Sequence, residues 1–278
     1  MDQKGTLADK LRIGCSGWGY KDWINVFYPS RAANKDFLKF YSSIFDAVEI
    51  DSSFYRTPSL PMIRSWYEKT PKDFLFTAKL PKKITHEKHL AGVDVQLDWF
   101  EKSIKGLREK LGGVVVQLPP SFKVAKDKSR LADFLKLIDP KVHYAIEFRH
   151  ISWFEDQSIL PLLRDHNVSL CWTINQYLET PKEVTSDHLY LRFVGDRSIT
   201  EFKGIQKDQK EKMMEWHKEL LAKEDSFKDA LVFFNNHFAG FGPSSVNEFR
   251  RLSGLIEKEW TTSEKGEASP NQASLSDF

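Results

Sequence analysis

The sharpest chemical pattern in the chain lies in Tyr144-Ala145-Ile146-Glu147-Phe148-Arg149, where an acid and a base stand two positions apart. Side chains of a strand alternate between its faces, so Glu147 and Arg149 point the same way. There the guanidinium can hold the carboxylate ionised or share a substrate with it. In Val48-Glu49-Ile50-Asp51-Ser52-Ser53 the same alternation groups Glu49, Asp51 and Ser53. Two neighbouring carboxylates can divide general acid and base roles, one pKa being raised by the other. Glu147, Glu49 and Asp51 are therefore the candidate catalytic residues. Lys79, Gln117, Arg192 and Asn235 close further apolar runs, and Asn236 follows the last. Lys79, Arg149 and Arg192, from three strands, can grip a phosphate or carboxylate. Lys79 also suits a Schiff base. Gln117, Asn235 and Asn236 can orient neutral polar atoms or a developing oxyanion. The plain alternative is mutual neutralisation in structural ion pairs at a barrel rim.

Aromatic residues follow the same runs: Trp18, Tyr20, Trp23, Phe54, Tyr55, Trp153, Phe154 and Phe241. Aromatic faces over an arginine-bearing pocket suit a sugar ring or a base, and Trp18, Tyr55 and Trp153 are the candidate platforms. The alternative is that such rings pack loops onto the barrel. His86 and His89 lie three apart, and His150 and His237 follow strand ends, so a divalent metal has His86 and His237 as fallback ligands beside Glu147 or Asp51. Lysines flank the loop histidines and no His-Glu-x-x-His motif occurs, so no permanently bound metal is expected. Ser16 lacks the Gly-x-Ser-x-Gly elbow, and Gly14 to Gly19 lacks the dinucleotide spacing, so no nicotinamide or nucleoside triphosphate cofactor is expected.

These residues need elements that converge. Early positions on the shared face of each run are apolar and late ones are polar, as when many strands deliver their C-terminal ends to one site. Strand-like runs start near Arg12, Ala47, Asp73, Gly113, His143, Val168, His188 and Ala230. Helical spacing separates most of them, as in Phe37, Phe40, Tyr41, Ile44 and in Leu131, Phe134, Leu135, Ile138. Eight alternating units predict a TIM-type (β/α)8 barrel with right-handed crossovers, the alternative being an open doubly wound sheet. The sixth unit is irregular, because Asn175 to Asp187 carries Pro181 and is too short for a crossover helix. Gly112-Gly113 reads as a helix cap. Residues 1–10 form an N-terminal extension, 11–260 the single barrel domain, and 261–278, rich in Ser, Glu, Gly and Pro, a disordered tail. Long loops at Gly17 to Ala33 and Pro81 to Leu97 are expected over the active face.

At 278 residues, with 41% hydrophobic and 13% aromatic residues, the chain suffices for one barrel core. A formal charge of +2 gives no global field toward nucleic acid or membrane. Cys15 and Cys171 are far apart without metal-ligand spacing, as in a reduced protein, and are expected to pack as small hydrophobes. Met1 to Gly5 has no apolar core and no run approaches a membrane span, so a cytoplasmic location is expected.

Several motifs together resemble the YecE-like family, domain of unknown function 72 (DUF72). They are Ile13-Gly14-Cys15-Ser16-Gly17-Trp18, Val48-Glu49-Ile50-Asp51-Ser52-Ser53-Phe54-Tyr55, Phe76-Thr77-Ala78-Lys79 with Ile84-Thr85-His86, Val116 to Phe122, Ala145 to His150 with Ser152-Trp153-Phe154, and Phe234-Asn235-Asn236-His237. The resemblance covers Leu11 to Glu257 and implies a TIM-barrel-like fold, with no reaction attached. Val194 stands where the family usually has histidine, and Asp51 where it often has asparagine. The residues themselves point to acid/base hydrolysis or isomerisation of a phosphorylated sugar or nucleotide-like anion. A nucleic-acid-binding protein using Lys79, Lys82, Lys83 and Lys88, or a metal-dependent endonuclease or sugar isomerase, are the competing classes.

Overall fold

Both faces of a barrel strand are buried, the inner against the opposite strands and the outer against helices, so its residues read as nearly continuous apolar runs. Residues 5–175 and 178–262 of the computed structural model are described. The strands are β1 (Leu11–Ser16), β2 (Ala47–Ile50), β3 (Leu75–Lys79), β4 (Leu111–Gln117), β5 (Tyr144–Glu147), β6 (Ser169–Leu170), β7 (Trp172–Asn175), β8 (His188–Gly195) and β9 (Asp229–Phe234). All pairings are parallel, in the order β6-β5-β4-β3-β2-β1-β9-β8-β7. The barrel alternative is the one observed, not the open doubly wound sheet.

β6 and β7 are one stave that changes neighbours at Cys171. The Cys171 amide still donates to Ile146 O at 2.9 Å, continuing the β5 pairing, whereas Trp172 already pairs with Leu191 of β8. The stave therefore links the two ends of the sheet. No helix covers it within 178–187. Instead Thr185 Oγ1 accepts from Leu170 N and donates to Val168 O, both at 2.7 Å, and Trp172 Nε1 donates to Glu183 O at 2.8 Å. The irregular sixth unit is thus a segment hydrogen-bonded along its strand in place of a crossover helix. Gly112 and Gly113 follow the helical turn Lys105–Lys110 but lie inside β4, past its cap at Leu111, and the register with β3 slips there, from Phe76↔Leu111 to Thr77↔Gly113. The glycine pair serves a bulge, not a cap.

The barrel interior is floored by Ala47, Val115, Ala145, Cys171, Tyr190, Leu231 and Phe233, a mixture of small and large side chains that fits a narrow ring. Their strand neighbours face outward, Val48 and Ile50 toward Phe37, Tyr41 and Phe45, and Ile146 toward Phe100 and Phe134. Helices Asn34–Ile44, Leu60–Lys69, Asp94–Ile104, Val124–Leu137, Lys210–Ala222 and Gly242–Leu252 supply that outer layer. Cys15 and Cys171 are both free and buried. Leu7–Lys10 forms a short helical turn before β1 with Leu7 buried. The expected tail, apart from Thr261 and Thr262, lies outside the described residues. No helix among the described residues is long and apolar enough to cross a membrane.

Tyr41 reaches from its helix to the seam between β1 and β2, accepting from Cys15 N at 2.7 Å and donating to Ala47 O at 3.0 Å. Gly14 makes room: a Cβ there would stand 1.9 Å from Ala47 O and 3.1 Å from the Tyr41 hydroxyl. Gly14→Ala is expected to lower stability by about 1–3 kcal/mol through overpacking. Tyr41→Phe, which strands a buried amide, should cost a comparable ~1–3 kcal/mol. The urea unfolding midpoint of each variant checks both.

Candidate active site

Pairing in register brings the late, inward positions of several strands to one level. Glu49 lies beside Thr77, Gln117 beside Glu147, and Thr173 beside Arg192. Above the apolar floor this level is polar. Its centre is Arg192, which is 2% exposed, between Glu49 and Glu147, both fully buried. The guanidinium makes a two-pronged contact with Glu49, Nε to Oε2 at 2.8 Å and Nη2 to Oε1 at 2.6 Å. Nη1 donates to Glu147 Oε2 and, at 3.3 Å, to Gln117 Oε1. Arg149 Nε donates to the other oxygen of Glu147 at 2.7 Å. Tyr190 spends its hydroxyl proton on Glu49 Oε2 at 2.7 Å, so Thr77, at 2.7 Å, donates to the Tyr190 oxygen.

This arrangement fixes protonation. Burial alone would raise the pKa of Glu147, but the charges of Arg149 and Arg192 outweigh it and bring the value to about 2. For Glu49, burial is likewise outweighed by Arg192, and the pKa falls. Arg192 itself is pushed well above its ordinary value by the two carboxylates despite burial. Glu49 and Glu147 are therefore permanent anions at neutral pH.

Asp51 is different. β2 ends at Ile50, and Asp51 opens a tight turn over Asp51–Phe54, leaving the strand alternation that groups it with Glu49. Its side chain is 30% exposed, 3.6 Å from Lys79 Nζ and 3.9 Å from Arg192 Nη2. Burial first, and then Glu49, raise the Asp51 pKa against the pull of Lys79. Burial lowers the Lys79 pKa against the pull of Asp51. Both partners of this pair shift toward neutrality. Ser53 sets the pair, because its Oγ lies 2.6 Å from Ile50 O and accepts from Lys79 N at 2.8 Å, pinning the end of β2 to that of β3. Phe54 places its ring under the Lys79 ammonium at 4.7 Å.

The structure thus gathers Glu49, Asp51, Lys79, Gln117, Glu147, Arg149 and Arg192. None of the remaining sequence candidates hydrogen-bonds to these seven residues among the described residues, although His86 approaches them through Phe54. Asn235 caps its own helix, accepting from His237 N at 3.0 Å. Asn236 is buried, and its oxygen accepts from Gly242 N at 2.8 Å and Trp23 Nε1 at 3.3 Å. Trp153 is 1% exposed, stacked between Phe122 and Phe148 at centroid distances of 5.2 and 4.7 Å. Trp18 meets Trp66 edge-on at 5.5 Å, and Tyr55, 74% exposed, leans on Phe54. Of the fallback metal ligands, His86 Nδ1 contacts Thr85 Oγ1 at 2.8 Å, and His237 Nδ1 contacts Ile199 O at 2.9 Å. Among the described residues no three His, Cys, Asp or Glu side chains are grouped to hold a metal ion. Sequence reasoning missed Tyr190, Thr77, Ser53 and Phe54 as members of the site. Tyr190 and Thr77 each lie two positions before a named cation, on the same strand face, which is the signal that could have found them.

The family model for a protein of unknown function, DUF72, matches residues 12–272. The chain belongs to the DUF72 family. It is 26% identical over 277 residues to UPF0759 protein YunF of Bacillus subtilis (strain 168), covering 90% of this chain and 96% of that protein. It is 23% identical over 231 residues to UPF0759 protein YecE of Escherichia coli (strain K12), covering 74% of this chain and 82% of that one. A DUF72 family protein from Thermotoga maritima MSB8 superposes with a TM-score of 0.73 at 26% identity, over 87% of this chain and 98% of that one. One from Enterococcus faecalis V583 gives 0.74 at 19% identity, over 90% and 97%, and shows the fold alone.

Removing Arg192 from this DUF72 barrel leaves two buried carboxylates without their shared partner. Arg192→Leu is expected to cost about 3–5 kcal/mol. Arg192→Lys should recover only part of this, because an ammonium cannot fork across both acids. Equilibrium urea unfolding measures each. The lowered Glu147 pKa also gives a sign: its contribution is fully present above the unfolded value of 4.5 and is lost as pH falls toward about 2. The wild-type midpoint should drop over that window, and Glu147→Gln should flatten the drop.

Proposed function

We propose that the mouth of the barrel binds an anionic small molecule and transfers a proton through Asp51. The class that fits best is hydrolysis or isomerisation of a phosphorylated sugar or nucleotide-like substrate. The observation that carries this is the split between spent and unspent polar groups. Arg192, Glu49 and Glu147 are consumed by one another. No described residue hydrogen-bonds the two terminal nitrogens of Arg149, and Lys79 meets Asp51 only at 3.6 Å. Lys79 thus stands beside a carboxylate whose pKa is raised, and Arg149, bound to Glu147 at the end of β5, offers further donors, the combination that general acid/base chemistry on a phosphate ester uses.

Glu147, the first catalytic candidate from sequence, takes a supporting part here: a carboxylate held ionised between two arginines orients them rather than carrying protons. The loop lysines argue for a small ligand over a nucleic acid. Lys88 donates to Gly92 O within its own loop at 3.0 Å, and Lys82 lies 3.9 Å from Glu87.

Calorimetric titration with a panel of phosphorylated sugars and nucleotides, followed by turnover assays on any binder, tests this reading. Lys79→Met and Arg149→Met should each weaken binding by about tenfold or more, in line with loss of a charge-assisted hydrogen bond. Asp51→Asn should keep binding and lose turnover by about a hundredfold or more. Turnover untouched by Asp51→Asn sinks the assignment.

A further inference from the structure

The loop after β3 carries a group that the acid/base scheme above does not use. Leu80-Pro81 leads into a wide helical turn, Lys83–Glu87, that buries Ile84 and Thr85 and leaves His86 half-buried. Such wide turns recur at functional sites. The His86 ring stands edge-on to Phe54, with centroids 5.0 Å apart, and the same Phe54 ring carries the Lys79 ammonium. Phe54 thereby spaces the imidazole from the cation.

The Nδ1 side of the ring is provided for in both protonation states. Thr85 Oγ1 lies 2.8 Å from Nδ1 and 3.3 Å from Pro81 O. Beside a neutral imidazole the hydroxyl donates to Nδ1. Beside an imidazolium it turns its proton to Pro81 O and accepts from Nδ1–H. That carbonyl already receives Ile84 N and Thr85 N at 2.9 and 3.2 Å, so it is not stranded when the hydroxyl turns away. No described residue hydrogen-bonds Nε2.

Burial, then the charges of Arg149 and Lys79, and then His89 push the His86 pKa down to about 4, and Glu147 opposes them weakly. Glu147 is already claimed by Arg149 and Arg192. Of the other charged groups on this loop, Glu87 faces Lys82 at 3.9 Å, and His89 faces Asp127 at 3.5 Å. Burial and the cations that would hold an anion together keep His86 neutral, and a bound dianion offsets the cations' share.

We propose that His86 is the ligand-triggered proton carrier of the mouth: it takes one proton from solvent when a dianion docks between Lys79 and Arg149, and donates to that dianion from Nε2. This rests on the anion-binding reading above. In the step one N–H bond forms at Nδ1 as one O–H bond of a hydronium ion breaks, and the Nε2–H, present in both states, is the donor to the dianion.

The test is calorimetric titration of the full chain with sulfate, which stays a dianion throughout, at about pH 6 in two buffers of different ionisation enthalpy. Wild type should take up close to one proton per sulfate, and its affinity should fall by about tenfold per pH unit over the window where that uptake occurs. His86→Gln should still bind sulfate, with a nearly flat pH dependence and little uptake. Thr85→Val, which leaves every charge in place, should bind with reduced uptake. Wild-type binding with no buffer dependence overturns the inference while leaving the anion site standing. Uptake that persists unchanged in His86→Gln assigns the proton to another group, Asp51 first, and overturns it equally. No sulfate binding by folded wild type removes the anion site and this inference together.

Discussion

One buried arginine organises this barrel. Arg192 spans the interior from Glu49 on β2 to Glu147 on β5, and it reaches Gln117 between them. Taking such charges out of water costs several kcal/mol per ion, so they are tolerable only with nearly all their hydrogen bonds made. The interior meets that demand. Tyr190, Thr77 and Arg149 complete the shell around the two acids, and the guanidinium spends its planar fork on two carboxylates at once. The stave closing the barrel at Cys171 and the small side chains of the floor leave room for this layer.

The same constraint divides the mouth into two strata. In the lower one, two carboxylates share one guanidinium and are held ionised. In the upper one, Asp51 and Lys79 are a looser pair with each partner drawn toward its neutral form, and Arg149 extends past Glu147 with donors left over. The proposed chemistry belongs to the upper stratum, where Asp51 and Lys79 are each drawn toward the neutral form. The lower stratum contributes geometry: Glu147, itself held by Arg192, fixes the direction of the Arg149 guanidinium. The loop after β3 adds a neutral histidine to this upper level, joined to Lys79 through Phe54.

Much of this was legible in the sequence. Alternation placed Glu147 with Arg149, and parallel pairing then brought the ends of six strands to one place. The pairing of Glu147 with Arg149 is local, so two-residue spacing sufficed to read it. The contact of Arg192 with Glu49 spans 143 positions and depends on barrel closure, which no local pattern encodes. Aromatic residues were the weakest signal, because Trp153 stacking in the core and Tyr55 exposed on a loop follow strands equally. Gly112-Gly113 misled for a related reason: glycine marks unusual backbone, and a strand bulge needs it as much as a helix cap does. Asp51 read as a partner of Glu49, yet its distinct behaviour comes from the turn that takes it off the strand.

The account turns on which carboxylates are fixed and which can move a proton. Side-chain carboxyl 13C chemical shifts of Glu49, Asp51 and Glu147, followed against pH in the folded protein and assigned by single substitutions, measure this directly. The account predicts that Glu49 and Glu147 titrate below the ordinary glutamate range, with Glu147 near 2, and that Asp51 titrates above the ordinary aspartate range. A Glu147 that titrates at or above its ordinary value, with Asp51 at or below its own, would contradict it and return the proton chemistry to the floor of the site.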